Sequence, residues 1–330
     1  MEDEFFELYR QNQNLTQNIL HTKNDVIITS GEAMSILWAS LKCTLKPGDK
    51  MLAISSGLFG EGFAEMAKTF GVNAEICAFE DDSIPDPDIV REHVKKFRPK
   101  VITAVHCETP SGTLTINLAE LGSIAREFDA LFVVDFVSSA GGAPLDVDSC
   151  KIDIGLLGSQ KVLSLTPSLS ISTISNRAWE IIERVNYSGY ESYNGWRNIY
   201  GEKLTPYTHN WHAMKALNLS LESIMNEGIS NACKRHEEAA KLCRDMACEM
   251  GLKLFPKNEK FCSPTVSAFY VPEKFTWEKF NYLLREKGLA VGGNYGRLSG
   301  KIFRVGHMGS QANINLVKTG MNIIRDVMQL

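Results

Sequence analysis

The chain has 330 residues, of which 44% are hydrophobic and 22% are charged, and its formal net charge is −4. This length and composition are typical of a globular protein with two domains and exclude a disordered chain. The small negative charge provides no broad basic surface, so neither nucleic acid nor an anionic membrane is expected as a partner.

Eight cysteines are scattered along the chain without any Cys-x-x-Cys spacing. Free cysteines in apolar patterns behave as small hydrophobic residues, which fits a reducing cytosol. The first residues are acidic rather than basic, and no apolar run approaches the length of about 18 residues that a membrane span needs. The sequence therefore predicts a cytoplasmic protein without an export signal.

The first predicted elements are an amphipathic helix over 2–20 and a strand over 25–29. Ser30 and Gly31 then lead into a second helix with apolar residues between 33 and 41. A strand, a small polar turn and a helix leave backbone N–H groups unpaired at the helix N-terminus, which is a common seat for phosphate. Glycine at position 31 would permit a close approach to such a group.

Strands and helices then alternate regularly. The predicted elements are strands 51–54, 75–79, 101–105 and 131–136, and helices 60–70, 87–97 and 117–128. Repeated strand–helix units indicate an α/β fold with a largely parallel sheet covered by helices, and with ligands at the carboxyl ends of the strands. Ser30, His106, Asp135 and Lys161 all fall at or near such ends.

The pattern changes after a short strand over 168–175. Helical stretches cover 176–186 and 206–250, followed by strands near 252–255, 264–271 and 302–307 and by helices near 276–287 and 310–327. This predicts a smaller C-terminal α+β domain. Because Gly228 breaks two periodic helical runs, we predict an N-terminal helix over 1–20, a large α/β domain over 21–228 and a small domain over 229–330.

The stretch Gly158-Ser159-Gln160-Lys161 directly follows the apolar run 152–157. Burial at a strand end lowers the pKa of a lysine and suggests a chemical role, although a lysine that extends to solvent is the alternative. Asp135 ends an earlier apolar run, so the two side chains could meet in one pocket. A pyridoxal-phosphate site needs such a pair, a lysine for the Schiff base and a carboxylate for the pyridine nitrogen.

Five segments together carry a family resemblance: Ile28-Thr29-Ser30-Gly31-Glu32-Ala33, His106-Cys107-Glu108-Thr109-Pro110-Ser111-Gly112, Val134-Asp135-Phe136-Val137-Ser138-Ser139, Gly158-Ser159-Gln160-Lys161 and Phe303-Arg304-Val305-Gly306-His307-Met308-Gly309. As an ordered set they resemble the class V aminotransferases of the fold type I pyridoxal-phosphate enzymes, close to the alanine–glyoxylate and serine–pyruvate group. The resemblance runs from near residue 5 to near residue 310.

The resemblance implies a role for each matching residue. Lys161 would hold pyridoxal 5'-phosphate and move a proton, Asp135 would pair with the pyridine nitrogen, and Arg304 would bind the substrate α-carboxylate. A structural ion pair is the alternative for Arg304. The other implied cofactor contacts are Ser30, Gly31, Glu32, Phe59 (stacked on the ring, or else ordinary core packing), Thr109, Val137 and Gln160, with Thr205 and Thr208 reaching the phosphate from the partner in a homodimer, or else forming a plain turn.

Two features depart from the family pattern. Glu32 stands where a small or neutral residue is expected; its carboxylate would repel a phosphate, so we expect it to point away or to weaken cofactor binding. Relatives usually have an N-terminal segment with a Pro-Gly-Pro-like turn and a His-Arg pair before the helix that begins near Phe5, and this sequence lacks it. We therefore expect an intact cofactor site with altered substrate handling.

The leading prediction is an aminotransferase that moves an amino group from a small amino acid to a 2-oxo acid such as glyoxylate or pyruvate. A lyase of the cysteine desulfurase type is an alternative, but such enzymes usually have histidine in place of Gln160 and a nucleophilic cysteine closer to the arginine than Cys262. A shortened homologue that binds the cofactor without turnover is the other alternative. No metal-ligand spacing occurs around His106, Cys107 or His307, so no metal site is predicted.

Overall fold

The computed structural model describes residues 2–329, so Met1 and Leu330, the outermost residues of the predicted terminal units, lie outside it. Its helices are α1 (Asp3–Leu20), α2 (Met34–Lys42), α3 (Leu58–Lys68), α4 (Pro87–Phe97), α5 (Leu118–Glu127), α6 (Asn176–Val185), α7 (Ile199–Glu202), α8 (Trp211–Glu227), α9 (Ile229–Glu249), α10 (Trp277–Glu286) and α11 (Ile314–Met328). Its strands are β1 (Asp25–Ser30), β2 (Lys50–Ser55), β3 (Asn73–Ala78), β4 (Val101–Val105), β5 (Cys107–Glu108), β6 (Thr113–Leu114), β7 (Leu131–Asp135), β8 (Ile154–Gly158), β9 (Leu169–Ile174), β10 (Val266–Tyr270) and β11 (Ile302–Gly306).

Seven strands form a central sheet in the order β1-β9-β8-β7-β4-β2-β3. Its neighbouring strands are parallel except where β9 pairs with β1 and β8. Strands β4, β7 and β8 are buried along their whole length, because both faces of the sheet are covered, and they therefore appear in the sequence as unbroken apolar runs. The prediction of a mostly parallel α/β sheet is confirmed.

Strand β1 lies at one edge of this sheet, and side chains of α1 bind its outer backbone groups. The hydroxyl of Tyr9 accepts a hydrogen bond from Ile28 N at 2.7 Å and donates to Ile28 O at 2.9 Å. The amide of Gln13 donates to Val26 O at 2.5 Å, and that of Gln17 donates to the loop carbonyl just before the strand at 2.9 Å. One polar face of α1 thus replaces a neighbouring strand along this edge.

The residues after Gly228 form a second apolar cluster. Gly228 has φ +84° and separates α8 from α9. Helices α9, α10 and α11 contact one another or the antiparallel strand pair β10–β11 around Phe269, Phe280 and Phe303, which are all fully buried. This cluster supports the proposed small domain, whose boundary remains a prediction.

The predicted strand near 252–255 is wrong. This segment makes a single bridge, between Leu254 and Phe269 of β10. Phe255 N donates to Ala268 O, but the next N–H group that would face β10, that of Lys257, donates to Asp82 O at 2.9 Å, so the ladder does not continue. The structure also contains a short hairpin, β5–β6, in a stretch that the sequence suggested to be a polar loop; Gly112, with φ +69°, lies in its turn.

Within residues 2–329, none of the helices has both the length and the apolar character needed to cross a membrane.

Candidate active site

The carboxyl ends of several parallel strands meet at one edge of the sheet. Strand β1 ends at Ser30, β7 ends at Asp135, and Lys161 follows the end of β8. The start of α2 also lies here, because a Cβ atom added to Gly158 would stand 2.8 Å from the Cβ of Ala33. The topology therefore brings the predicted phosphate turn, carboxylate and lysine to a common space.

Asp135 is buried at the end of β7. Its Oδ1 accepts a hydrogen bond from Val137 N at 2.8 Å, whereas Oδ2 has no partner among the described residues. Burial raises the pKa of Asp135 to about 6, and the positive charge of Lys161 opposes this rise. The free oxygen is available to a cationic or N–H group of a ligand.

Lys161 is half-buried, and its side-chain amine makes no hydrogen bond or ion pair within residues 2–329. Burial lowers its pKa, and the positive charge of Arg304 lowers it further. Asp135 and Glu32 act in the opposite direction, as the weaker influences. The two larger effects shift the amine of Lys161 toward its neutral, nucleophilic form.

The turn after β1 presents a set of backbone donors. Gly31 has φ +140°, and its N–H is already used in a hydrogen bond to Ser168 O at 3.0 Å. The next three N–H groups, of Glu32, Ala33 and Met34, have no acceptor in the described part of the chain. They precede or open α2, where the helix dipole also favours an anion.

Glu32 carries the one carboxylate of this turn. Its side chain is exposed, and its charge acts on Lys161. The expectation that this carboxylate points away from the phosphate remains a prediction. Its effect on cofactor binding remains a prediction.

Three more predicted contacts surround Lys161 and Asp135. Gln160 has a buried Oε1 without a partner in residues 2–329. Thr109 is buried, and its hydroxyl forms a short hydrogen bond with the Ser138 hydroxyl. Val137 is also buried and contributes the N–H that holds Asp135.

Phe59 lies on the first turn of α3 and is partly buried. Its ring meets Tyr295 edge-on, with 6.4 Å between the centroids. A side chain that sequence analysis left without a role holds its backbone: Glu108 accepts hydrogen bonds from Phe59 N at 3.2 Å and from Gly60 N at 2.7 Å. In the sequence, the feature that could have identified Glu108 is a carboxylate between the apolar strand β4 and the turn at Gly112.

Arg304 lies on β11 and is partly buried. Its Nη2 donates to Gly293 O at 2.6 Å, whereas its Nε is buried without a partner. No carboxylate of residues 2–329 forms an ion pair with it, in contrast to the ion-pair alternative. Gly292 allows the guanidinium to lie close, since a Cβ atom there would be 3.2 Å from Nη2. The guanidinium is thus fixed on one side and free to bind an anion on the other.

The loop that follows β11 is attached to the loop that follows Lys161. Ser310 N donates to Ser164 Oγ at 2.9 Å, and Gly309 N donates to His236 Nε2 at 2.9 Å. Arg235 Nη1 donates to Gly309 O at 2.7 Å. These bonds fix the position of the Arg304 strand relative to the lysine loop.

The segment 204–209 lies beside the phosphate turn of its own chain. Thr208 lines a small cavity together with Ser30. Just beyond it, Asn210 N donates to Ser30 Oγ at 3.4 Å. Thr205 is buried, and its hydroxyl donates to Tyr207 O at 2.8 Å. A contact from this segment to the turn of a partner subunit remains a prediction.

These groups fit pyridoxal phosphate at three points. The free N–H groups at the start of α2 suit its phosphate, the free Oδ2 of Asp135 suits a protonated ring nitrogen, and the amine of Lys161 suits its aldehyde. Buried polar atoms without partners are costly in a folded protein. The clustering of Gln160 Oε1 and Arg304 Nε with these groups therefore indicates a polar ligand at this edge of the sheet.

Comparison with known proteins agrees with this geometry. Residues 1–310 match the family description "Aminotransferase class-V". The chain is 37% identical over 298 residues to an uncharacterised aminotransferase of Methanocaldococcus jannaschii, covering 89% of this chain and 77% of that protein. It is 28% identical to the pyridoxamine–pyruvate transaminase of Mesorhizobium japonicum, covering 92% and 79%. The crystal structure of an alanine–glyoxylate aminotransferase from Nostoc sp. has a TM-score of 0.95 and 28% identity, covering 99% and 88%.

The chain belongs to the class V aminotransferases and has the fold of the type I pyridoxal-phosphate enzymes. The predicted family, fold class and transaminase activity are confirmed. Family membership implies the use of pyridoxal phosphate. The roles of the individual site residues remain predictions.

Proposed function

We propose that this aminotransferase moves an amino group from a small amino acid, with alanine as the first candidate, to glyoxylate or pyruvate. The observation that carries the proposal is a half-buried lysine without a partner, which lies between a buried carboxylate and an arginine whose Nε is free. Relatives named for alanine and glyoxylate or for pyridoxamine and pyruvate support these substrates.

Each residue of the site has a separate proposed role. When bound, pyridoxal phosphate supplies an electron-accepting ring that stabilises negative charge at the substrate Cα. Lys161 would hold the cofactor and would move the proton of the substrate Cα, a task that its lowered pKa favours. Asp135 keeps the ring nitrogen protonated, and Arg304 holds the substrate α-carboxylate. The N–H groups at the start of α2 hold the phosphate, with Ser30 and Gly31 shaping the turn.

A single-turnover experiment tests the proposal. The cofactor-loaded protein is mixed with alanine in the absence of any 2-oxo acid, and pyruvate is measured. We expect at most one pyruvate per subunit, followed by glycine formation when glyoxylate is added. Lys161→Ala should release none, and borohydride should fix the cofactor to Lys161 in the parent protein. Continuous release of pyruvate and ammonia, or no reaction with any small amino acid, would contradict an aminotransferase of this specificity.

The lyase alternative gains no support from Cys262. Burial raises the pKa of this thiol to about 11, whereas a nucleophilic cysteine needs a lowered pKa. Its sulfur lies 3.8 Å from Asn258 O, to which it donates. We therefore keep the aminotransferase as the proposal and retain the homologue without turnover only as an outcome of the experiment above.

We also propose a homodimer in which segment 204–209 of each subunit contributes Thr205 and Thr208 to the phosphate site of the other. Leu204, the first residue of the segment, is 59% exposed, and Trp211, just beyond its end, is 41% exposed. Burial of such apolar side chains would favour association. Light scattering should show a dimer in the cofactor-loaded state. A loaded monomer would contradict the shared site. The cytosol remains the proposed compartment, in keeping with eight free thiols.

A further inference from the structure

Helix α3 begins without a side chain that could cap it. Its N-cap residue is Gly57, which has no side chain to accept the N–H groups of the next turn. Serine, threonine, aspartate or asparagine usually fills this position and binds the second or third N–H of the helix. Phe59 and Gly60 occupy these second and third positions, so their N–H groups need an acceptor from elsewhere.

Glu108 supplies both acceptors from a distant part of the chain. Its Oε1 lies 2.7 Å from Gly60 N and its Oε2 lies 3.2 Å from Phe59 N, across sequence separations of 48 and 49 residues. The residue is only 1% exposed. A carboxylate at a helix N-terminus is also favoured by the helix dipole, which offsets part of the cost of its burial.

Gly57 and Glu108 fit each other closely. A Cβ atom at position 57 would lie 2.5 Å from the carboxyl carbon of Glu108, nearer than any real contact. Gly57 has φ 169°, an extended conformation open to every residue, so contact with Glu108 and not backbone strain accounts for glycine here. The carboxylate thus packs directly against the first turn of α3, which carries Phe59.

The other end of Glu108 is tied to the strand end that carries Asp135. His106 N donates to Asp135 O at 2.8 Å, and Thr115 N donates to His106 O at 2.8 Å, which fixes the β5–β6 hairpin beside β7. Glu108 belongs to β5 of this hairpin. The side chain of Glu108 therefore connects Asp135, which is proposed to pair with the cofactor nitrogen, with Phe59, which is proposed to stack on the cofactor ring.

We propose that Glu108 is a positioning residue that fixes the backbone of Phe59 at the start of α3 and thereby sets where the Phe59 ring lies relative to Asp135 and Lys161. The proposal rests on the proposed function, because it requires that Phe59 packs on the cofactor. Glu108 acts through the backbone of α3 and does not touch the cofactor. Its removal should loosen cofactor binding only where Phe59 is present.

A double-mutant cycle on cofactor affinity tests this inference. The dissociation constant of pyridoxal phosphate is measured for the parent, Glu108→Gln, Phe59→Ala and the double variant. Glutamine keeps the shape of Glu108 but provides one acceptor and directs an NH2 group at the second N–H. At about pH 9, where Glu108 is mainly ionised, we expect Glu108→Gln to weaken binding by about tenfold or more, the usual effect of losing a hydrogen bond to a charged group. In the Phe59→Ala background the same change should alter binding by less than about threefold, because the two residues act as one unit.

Two controls separate positioning from a general loss of stability. Gly57→Ala leaves the charge of Glu108 unchanged but pushes its carboxylate away from α3. Like Glu108→Gln, it should weaken cofactor binding and alter the visible circular dichroism of the bound cofactor. Asp86→Asn neutralises the carboxylate of an ordinary cap, whose Oδ1 accepts from Asp88 N at 2.9 Å at the start of α4, and should change neither the binding nor the circular dichroism. Thermal unfolding of the cofactor-free proteins shows whether all variants are folded.

The possible failures are distinguishable. If the parent protein does not bind pyridoxal phosphate, the proposed function fails and the inference fails with it. If the parent binds but the effect of Glu108→Gln is equal in both backgrounds, Glu108 acts directly or globally and only the inference is overturned. An unchanged dissociation constant in Glu108→Gln, or in Phe59→Ala, overturns it as well.

Discussion

Arg304 has an unusual environment for an arginine that is largely buried. Its guanidinium is fixed by one carbonyl, that of Gly293, and by no carboxylate among the described residues. Burial lowers its pKa, and the phenol of Tyr295 partly opposes this. A planar fork that is held on one side can form two parallel bonds to a substrate carboxylate, which a lysine cannot reproduce.

Replacement of Arg304 by lysine should therefore reduce kcat/KM for amino acids by at least about tenfold, the loss of one charge-assisted hydrogen bond. The visible absorption of the bound cofactor should not change, since Arg304 is not expected to touch the ring. An alkylamine without a carboxylate serves as the control, because its slow reaction should be the same in both proteins. Unchanged amino-acid kinetics in a destabilised Arg304→Lys variant would favour a purely structural role.

Glu108 makes the stability of the cofactor-free protein depend on pH. Burial raises its pKa to about 8, and the charges of Asp135 and Asp81 add to the rise, while the N–H groups of Gly60 and Phe59 oppose it. The folded state therefore binds more protons at this site than the unfolded state between the ordinary carboxyl pKa and about 8. Its contribution to stability is complete at low pH and is lost as the pH rises through this window.

We expect Glu108 to lower the free energy of unfolding of the cofactor-free protein between pH 6 and pH 8, by up to about 1.4 kcal/mol per pH unit, against the opposite contribution of buried histidines such as His106 and His307, whose pKa burial lowers. Asp135 titrates mainly below this range, since its pKa is raised only to about 6. Urea denaturation at the two pH values measures the fall. Glu108→Gln should flatten it, and an equally steep fall in that variant would assign the effect to another group.

At the level of elements, α1 and β1 form a unit that supports the phosphate turn. The hydroxyl of Tyr9 is fully buried and bonds both backbone groups of Ile28, two residues before the turn at Ser30. His209 also contacts Ile28 O, at 3.0 Å, so the carbonyl has a second partner whereas the Ile28 N–H has only Tyr9. Loss of the hydroxyl leaves a buried donor unsatisfied.

Tyr9→Phe should consequently lower the free energy of unfolding by about 1–3 kcal/mol, the cost of an unpaired buried N–H group. Tyr282→Phe is the matched control, since Tyr282 is 55% exposed on α10 and makes no hydrogen bond among the described residues. Urea denaturation of both variants measures the difference. Equal stabilities would mean that water or a shifted side chain replaces the Tyr9 hydroxyl.

For the whole molecule, the positions of Lys161 and Arg304 depend on one glycine. Gly309 has φ +56°, and a Cβ atom there would lie 2.1 Å from Ser164 Oγ and 2.2 Å from Val162 O. Because Val162 directly follows Lys161, any side chain at position 309 must push the lysine loop away from the β11 strand. The two halves of the proposed site can therefore keep their spacing only with glycine at this position.

Gly309→Ala should reduce both stability and kcat/KM for amino acids, whereas Gly300→Ala should affect stability alone. Gly300 has φ +72°, but an added Cβ atom would have nothing within 4 Å. Gly300→Ala therefore measures the cost of backbone strain alone, about 1–2 kcal/mol. Thermal unfolding and steady-state kinetics compare the two variants. Equal losses in both would show that φ, and not the contact with the lysine loop, sets the requirement.

Much of the fold and part of the site could be predicted from the sequence. Apolar runs that end in Asp135 or precede Lys161 predict buried parallel strands, and parallel strands bring their carboxyl ends together whatever the loops do. Glu108 could not be assigned, because its partners are backbone N–H groups, which leave no trace in side-chain patterns. The same reason hid the function of Gln13 and Gln17, which only weakened the helical pattern of α1.

The strand error near 252–255 has a related cause. Leu254 and Phe255 have the apolar character of a strand, and one bridge to β10 does form. Whether a ladder continues depends on the next N–H group that faces the partner strand, and that group, Lys257 N, donates to Asp82 O instead. Local apolar patterns report burial, whereas ladder length depends on hydrogen-bond donors.

The support of β1 by α1 has a consequence for synthesis on the ribosome. Strand β1 pairs only with β9, and Asn12 of α1 donates to Met214 O, 202 residues further along the chain. At about 5–20 residues per second, the first 30 residues wait roughly 10–40 s for these partners to emerge. The predicted phosphate turn is thus translated well before the strand and the helix that hold it in place.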